Sequence, residues 1–327
     1  MDFELSDDQV ALTEGMQALC AGRFDKKTVR GLADVGGIDR ALWSELAATG
    51  VFSLPLAEDD GGVGLGWVDA ALVFEQLGRA LVPGPLVAAA LAAGSSDSSV
   101  EGVAAGDVVP TIVERPRGGG VVVVDYAAVS DVLIVLDDAG VWQVDPASII
   151  IAEVPRPLDP LTPVGEVAGE LPQGDQIGDA AIANLWRTRG VVLSSALQLG
   201  LAAGATDLAV AYAKEREQFG KPIGAFQAVK HLCADMLAQV EVARAAVYQA
   251  GVALDDAEAF DPERGASVAR VVASEAGNFC GRGCIQVHGG MGYTWEIDAH
   301  LFLKRSWVLD QTFGTRDDHL EAIAAVL

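Results

Sequence analysis

The apolar residues of this chain change their period twice, and that double switch limits the fold more than any other feature. In the first stretch they recur at helical spacing: Val10, Leu12, Met16 and Leu19 follow Ser6, which is placed to cap a helix running to Ala21. A second helix is expected from Asp39 to Ala48, closed by Gly50. Asp59-Asp60-Gly61-Gly62-Val63-Gly64 predicts a turn, followed by an Ala/Leu/Val helix through Arg79 that Pro83-Gly84-Pro85 breaks. The pattern then becomes short β-branched runs at Val121–Asp125, Val132–Leu136, Val141–Val144 and Ile149–Ile151, with Pro155–Asp179 expected as an exit loop. Helical periodicity returns over Trp186–Arg216, Phe226–Ala253, Arg264–Gln286 and His300–Val308. The expected fold is α+β, mostly α, with a helical domain over 1–104, a small β-domain over 105–178 and a second helical domain over 179–327. No internal repeat of solenoid length is evident.

Charge and cysteine usage narrow the function classes. A net charge of −24 argues against nucleic acid and against an anionic membrane surface, both of which require clustered Lys and Arg. It leaves room for a phosphate-bearing ligand, which needs only a few local donors. Cys20, Cys233, Cys280 and Cys284 are too few to staple a chain of 327 residues, and Cys280 and Cys284 lack the spacing and nearby histidines of a zinc site. Buried, reduced thiols in a cytoplasmic protein without a metal are expected. The opening Met1-Asp2-Phe3-Glu4 is acidic and leads into no apolar stretch of signal-peptide type. Uninterrupted apolar runs such as Pro85–Ala93 fall short of the about 20 residues that span a bilayer.

Two segments stand out. The first is Arg216-Glu217-Gln218-Phe219-Gly220-Lys221-Pro222-Ile223-Gly224 with Phe226-Gln227, and the second is Gln286-Val287-His288-Gly289-Gly290-Met291-Gly292-Tyr293-Thr294. A guanidinium such as that of Arg216 matches a pyrophosphate because its donor fork fits the phosphate oxygens. Gly289, Gly290 and Gly292 let a backbone approach a ligand and present its N–H groups. Gln227 and Gln286 each carry both a donor and an acceptor for a nucleotide. On residue chemistry alone a plain alternative stands beside this one: a helix-ending turn at Gly289–Gly292 and a surface charge at Arg216.

Together these segments closely resemble the acyl-CoA dehydrogenase family. Leu54-Pro55, Asp60-Gly61-Gly62-Val63-Gly64-Leu65, Glu75, Gly78 and Arg79 are similar to that family's first domain. The resemblance covers nearly the whole chain. It implies an N-terminal helical domain, a small β-domain and a C-terminal four-helix bundle. It also implies an FAD-dependent oxidoreductase of lipid metabolism that desaturates an acyl-CoA thioester, with an electron-transferring flavoprotein as a possible acceptor. By position, Arg216, Phe219, Gln227, Gln286, Gly289 and Gly290 would hold the ADP end of a flavin carried by the neighbouring subunit.

The chain departs from that family in two places. The family's carboxylate base usually follows the glycine loop in a Tyr-Glu-Gly-Thr sequence; here the aligned residue before Gly314-Thr315 is Phe313, and a phenyl ring has no lone pair for a proton. Some members carry the base on the long upstream helix, where this chain has Gly190 between Arg189 and Val191. Glu296, Asp298 and Asp310 are the acids that remain nearby. The β-domain is shortened as well. It has no Thr-Glu-Pro…Gly-Ser-Asp stretch, and its Trp142 is not followed by Ile-Thr. The resemblance therefore points to the short, non-catalytic subunit of the actinobacterial α2β2 acyl-CoA dehydrogenases of steroid degradation, paired with a full-length subunit and sharing its FAD. Two other readings stay open: a homo-oligomeric dehydrogenase with a displaced base, and a non-enzymatic module that binds acyl-CoA or a protein.

The remaining candidates have plainer expectations. His231 is expected as a core or interface residue, His288 as packing in its loop, and His300 and His319 as lacking metal partners. Arg244, Arg270, Arg282 and Lys304-Arg305 are expected as interface or solvent charges, and Trp295 and Trp307 as buried aromatic mass.

Overall fold

The computed structural model describes residues 4–94, 98–116 and 120–325, so the first three residues of the acidic opening lie outside the described residues. Helix α1 (Asp7–Arg23) starts at Ser6 with a capping box, in which Ser6 and Gln9 each satisfy the other's backbone N–H. Helix α2 (Lys26–Ala33) was not foreseen. Asp39 caps α3 (Arg40–Ala47) by accepting from the N–H groups of Ala41 and Leu42. Then come α4 (Trp67–Arg79) and α5 (Leu86–Ala92). Seven strands follow: β1 (Pro110–Glu114), β2 (Val123–Asp125), β3 (Val132–Leu136), β4 (Gly140–Val144), β5 (Ile150–Glu153), β6 (Val164–Ala168) and β7 (Asp175–Asp179). Helix α6 (Ala180–Glu215) leads to a short ribbon, β8 (Glu217–Gln218) and β9 (Lys221–Pro222), and then to α7 (Gln227–Asp255), α8 (Pro262–His288), α9 (Ala299–Leu309) and α10 (Arg316–Ala324).

Contacts group the chain into two units. One comprises Lys27–Ala70 and Pro83–Gly190; the other comprises the chain up to Lys26, Ala71–Val82 and everything from Val191 onward. The division falls inside α4 and α6.

The first unit holds two sheets. One has the order β1-β3-β4-β7, with β1 parallel to β3 and the other pairs antiparallel; the second is antiparallel in the order β2-β6-β5. Every residue of β3 is buried, as expected of a central strand covered on both faces. Val122, Val124, Leu133, Val135, Trp142, Val144 and Val167 form the apolar layer of this unit. The expected exit loop Pro155–Asp179 contains β6 and β7 instead. Asp175–Asp179 has Ile177 as its one large apolar residue, so it carries no strand signal of its own; its pairing with β4 comes from the sheet edge that β4 presents.

In the second unit the helices meet through glycines. A Cβ on Gly78 of α4 would lie 2.2 Å from the Leu197 carbonyl oxygen on α6, and one on Gly200 would lie 2.0 Å from the Glu75 carbonyl oxygen. Gly277 and Gly281 of α8 face Ser306 and Leu303 of α9, and Gly283 faces Met236 of α7. Among the described residues, α6 alone is long and apolar enough to cross a membrane; 89% of its apolar window is buried in the fold. A reading by unbroken apolar runs misses it, because Ser194, Ser195 and Gln198 interrupt the run while being buried themselves.

Gly200→Ala is expected to destabilise the protein by about 1–3 kcal/mol or more, since two backbones must separate to admit the methyl. Gly15→Ala, on the exposed face of α1 with nothing within 4 Å of the added carbon, is expected to stabilise it by about 0.5–1 kcal/mol. Chemical denaturation of the two variants measures both signs.

Candidate functional site

The ribbon β8–β9 joins α6 to α7 and displays the first motif. Arg216 follows the last residue of α6; its N–H donates to the Tyr212 carbonyl at 2.8 Å, and its own carbonyl accepts from Ile223 at 2.7 Å, closing the ribbon. At the tip Phe219 and Gly220 both have positive φ, +55° and +78°, as a tight turn of the left-handed type requires. Left-handed backbone is unfavourable for a phenylalanine. Here it leaves the ring 92% exposed, with an edge contact to Phe226 at 6.1 Å as its recorded ring partner. Gln227 opens α7 and is exposed, and Lys221 lies over the Phe226 ring. Among the described residues the side chains of Arg216 and Gln227 have no ion-pair or hydrogen-bond partner.

The second motif ends α8. Gln286 sits in its last turn, exposed and likewise without a side-chain partner among the described residues, and its carbonyl accepts the N–H of Gly289. Gly289–Tyr293 forms a 3-10 turn. The three loop glycines are there for different reasons. Gly292 is needed for packing, since a Cβ would lie 2.7 Å from the Ile285 carbonyl oxygen; Gly289 is needed for its φ of +61°. Gly290 has no such φ, and nothing of its own chain lies within 4 Å of an added carbon. The chain's own fold thus leaves open space where a side chain at this position would begin. The loop is the helix-ending turn that residue chemistry alone allowed.

The segment beyond Gly292 corrects one expectation. Tyr293 and Trp295 are 75% and 61% exposed; Trp295 meets His300 edge-on at 4.9 Å with Lys304 over its face. Trp295 thus lies on the surface rather than in the core, and Trp307 is half-buried. His231 is exposed, not in the core. Sequence reasoning missed Tyr212, whose ring stacks on His288 with centroids 4.2 Å apart. It lies four residues before Arg216, but nothing in the sequence pairs it with His288.

Phe313 lies between α9 and α10 and is half-buried, with a φ of +54°. The loop is pinned through its carbonyls. Arg270, fully buried, donates to the Thr312 carbonyl, to Thr312 Oγ1 and to Gln198 Oε1; His319 Nε2 donates to the Phe313 carbonyl at 3.0 Å. Burial lowers the Arg270 pKa to about 10, and the nearby Asp310 works against that shift. Asp310 accepts from Gln198 Nε2 at 2.5 Å, Ser274 Oγ at 2.6 Å and Asn278 Nδ2 at 2.8 Å, so both carboxylate oxygens are engaged. Arg270 and Arg305 are therefore not solvent charges: α8 and α9 carry them on their packed faces. Arg244 is likewise turned inward to Glu75, 2% exposed, which also accepts from Tyr248.

In the β unit, Trp142 Nε1 donates to Asp137, holding the turn before β4. Glu114, Arg115, Pro116, Asp137, Asp138, Ala139 and Arg187 line an open cavity of about 570 Å³. Its arginines are already engaged, Arg115 with Asp137 and the carbonyls of Leu171 and Pro172, and Arg187 with Glu114 and Asn184. All four cysteines are free, and burial raises Cys20 and Cys284 to about 12 and Cys280 to about 11, so these three stay protonated thiols. Among the described residues no group of three or more His, Cys, Asp or Glu is placed to hold a metal.

Two family models match, the acyl-CoA dehydrogenase N-terminal domain over residues 6–96 and the acyl-CoA dehydrogenase C-terminal domain over residues 179–327. The chain belongs to the acyl-CoA dehydrogenase family. Among its relatives within that family, acyl-CoA dehydrogenase IpdE2 of Mycolicibacterium smegmatis is 33% identical over 98% of this chain and 99% of its own length. Acyl-CoA dehydrogenase FadE34 of Mycobacterium tuberculosis is 34% identical over 88% of this chain but 42% of its own. Of solved structures, PigA with FAD and proline superposes with a TM-score of 0.86 at 25% identity, covering 100% of this chain and 99% of that one. The ChsE4–ChsE5 complex from Mycobacterium tuberculosis superposes with a TM-score of 0.85 at 23% identity over 99% and 98%, which speaks to the acyl-CoA dehydrogenase fold.

His319 supplies a pH dependence. Burial lowers its pKa and so does Arg270, against the opposing pull of the Phe313 carbonyl and Asp318; Ser267 faces its Nδ1. A histidine harder to protonate when folded binds more protons unfolded, so its contribution is present above about pH 6.5 and is lost as pH falls through the depressed folded value. Thermal unfolding from pH 7.5 to 5 is expected to show stability declining toward acid, with a shallower decline in His319→Gln.

Proposed function

We propose that this chain is the non-catalytic subunit of a mixed FAD-dependent acyl-CoA dehydrogenase, clamping the ADP end of a flavin whose ring and base belong to a full-length partner of the same family. The observation that carries the reading is the pairing of Phe313 at the family's base position with a nucleotide-type motif whose Arg216, Gln227 and Gln286 side chains are exposed and, among the described residues, without a partner. The donor set fits a diphosphate and a nucleoside. Arg216 would neutralise the pyrophosphate, Gln227 and Gln286 would hydrogen-bond along it, Phe219 would cover an apolar face, and Gly289 and Gly290 would admit the ligand to backbone distance. FAD bound in this way supplies the acceptor for the hydride that leaves the β-carbon of an acyl-CoA. Phe313 contributes no proton acceptor, so the α-proton is assigned to a carboxylate of the partner.

Assembly partners of related chains support a division of labour. The ChsE4–ChsE5 structure is a complex of two components, and the Tcur3481–Tcur3483 structure is described as a steroid acyl-CoA dehydrogenase. In FadE34 the match takes up 42% of the polypeptide, which leaves room for a second unit of similar size in one chain. On this basis the assembly is proposed as α2β2, the substrate class as a steroid-derived acyl-CoA and the acceptor as an electron-transferring flavoprotein. The displaced-base reading would rest on an acid such as Asp310, whose two oxygens already accept three hydrogen bonds.

Purified alone, the chain is expected to be colourless and inactive; co-purified with its full-length partner, it is expected to give a yellow, active complex. Arg216→Ala is expected to weaken FAD retention in that complex by roughly 10- to 100-fold, the loss of charge-assisted hydrogen bonds. Gly290→Ala should weaken it too while leaving the thermal stability of the isolated chain unchanged. A yellow, active preparation of this chain by itself, losing turnover in Asp310→Asn, would overturn the proposal in favour of a displaced base.

A further inference from the structure

Resting on the nucleotide-clamp reading, we propose that Tyr212 is a positioning residue that ties the two halves of the clamp together, with His288 as its counterpart. The clamp residues lie on segments about 70 residues apart in sequence, the β8–β9 ribbon and the turn after α8, and a diphosphate needs both at once. Tyr212 makes one contact with the first segment and two with the second. Its carbonyl takes the Arg216 N–H at 2.8 Å, fixing where the ribbon leaves α6. Its ring stacks on His288, with centroids 4.2 Å apart and planes at 25°. Its hydroxyl lies 3.8 Å from Met291 Sδ, within the glycine turn itself.

His288 is suited to receive that stack because it cannot rotate away. It is the last residue of α8, directly before Gly289, and is 5% exposed. Nδ1 lies 2.8 Å from the Cys284 carbonyl oxygen, and a carbonyl can only accept, so Nδ1 carries the proton. The thiol of Cys284 stands 3.7 Å from the same nitrogen. Nε2 is then a bare acceptor, buried and without a partner. A buried, unsatisfied nitrogen is costly. A phenyl ring would avoid that cost but would lose the bond to Cys284 that fixes the ring plane against Tyr212. The arrangement thus favours orientation over full satisfaction, which is the requirement of a brace rather than of a core filler.

The test uses Tyr212→Leu, which removes the stack and the sulfur contact, and Tyr212→Phe, which keeps the stack. In the isolated chain, amide hydrogen exchange of the Gly289–Tyr293 turn is expected to quicken roughly 3- to 10-fold in Tyr212→Leu, the scale of one aromatic pair, and to return toward wild type in Tyr212→Phe. Exchange in the centre of α7 should not change. In the co-purified complex the same two variants are expected to lose and regain FAD retention in parallel, read as flavin release on dilution. Unchanged exchange of the turn in Tyr212→Leu would overturn the brace, as would quickened exchange spread evenly over the whole bundle. Wild-type complex without any flavin would instead sink the nucleotide-clamp reading, and the exchange measurement would still decide the brace.

Discussion

The helical unit depends on the contact between α4 and α6, where carbonyl oxygens of one helix lie where side chains of the other would begin. Gly78 sits against the Leu197 carbonyl and Gly200 against that of Glu75, and Gly204 opens the next turn to Phe302. At such distances a single methyl is excluded by hard-sphere contact, so the spacing of these helices is set by what is missing from their surfaces. The same device recurs between α8 and α9 at Gly277 and Gly281, and between α8 and α7 at Gly283.

Close packing of this kind leaves little room for polar groups, and most of those present are drawn into networks, although Arg270 Nε and Ser306 Oγ are buried without a hydrogen-bond partner among the described residues. Glu75, one turn from Gly78, is buried and held by Arg244 and Tyr248. Burial alone would lower the Arg244 pKa, but Glu75 outweighs it and the guanidinium is held charged; burial and Glu75 together push the Tyr248 hydroxyl up. Removing one partner of a buried pair like this costs about 3–5 kcal/mol, because the other charge is left stranded. Arg270, Gln198 and Asp310 form a second such network, and its outer end is the Thr312 carbonyl. The loop carrying Phe313 is therefore anchored from inside the bundle, which is how an aromatic residue is kept at positive φ.

Arg216, Gln227 and Gln286 have no partners among the described residues, Phe219 is displayed on strained backbone, and Gly290 lacks a side chain for no internal reason. The cavity of the β unit shows the opposite pattern, with Arg115 and Arg187 already bound to neighbouring acids and carbonyls. The proposed cofactor role is placed on the ribbon and the glycine turn because Arg216, Gln227 and Gln286 are exposed there and without partners among the described residues.

Much of this was legible in the residues. Ser6 as a cap, the long helical periods, β3 and the two motif segments rest on local chemistry, namely side-chain oxygens that bond nearby N–H groups and apolar spacing that repeats within one element. The absence of an ionisable group at Phe313 is a property of the residue type and needs no coordinates. Strands β6 and β7 and the burial of Arg270 were decided by tertiary structure, because each depends on a partner far away in sequence: an open sheet edge and a carbonyl beyond another helix. So was the meeting of Tyr212 with His288. No periodicity encodes which two helix ends come together; only the packing of the bundle does.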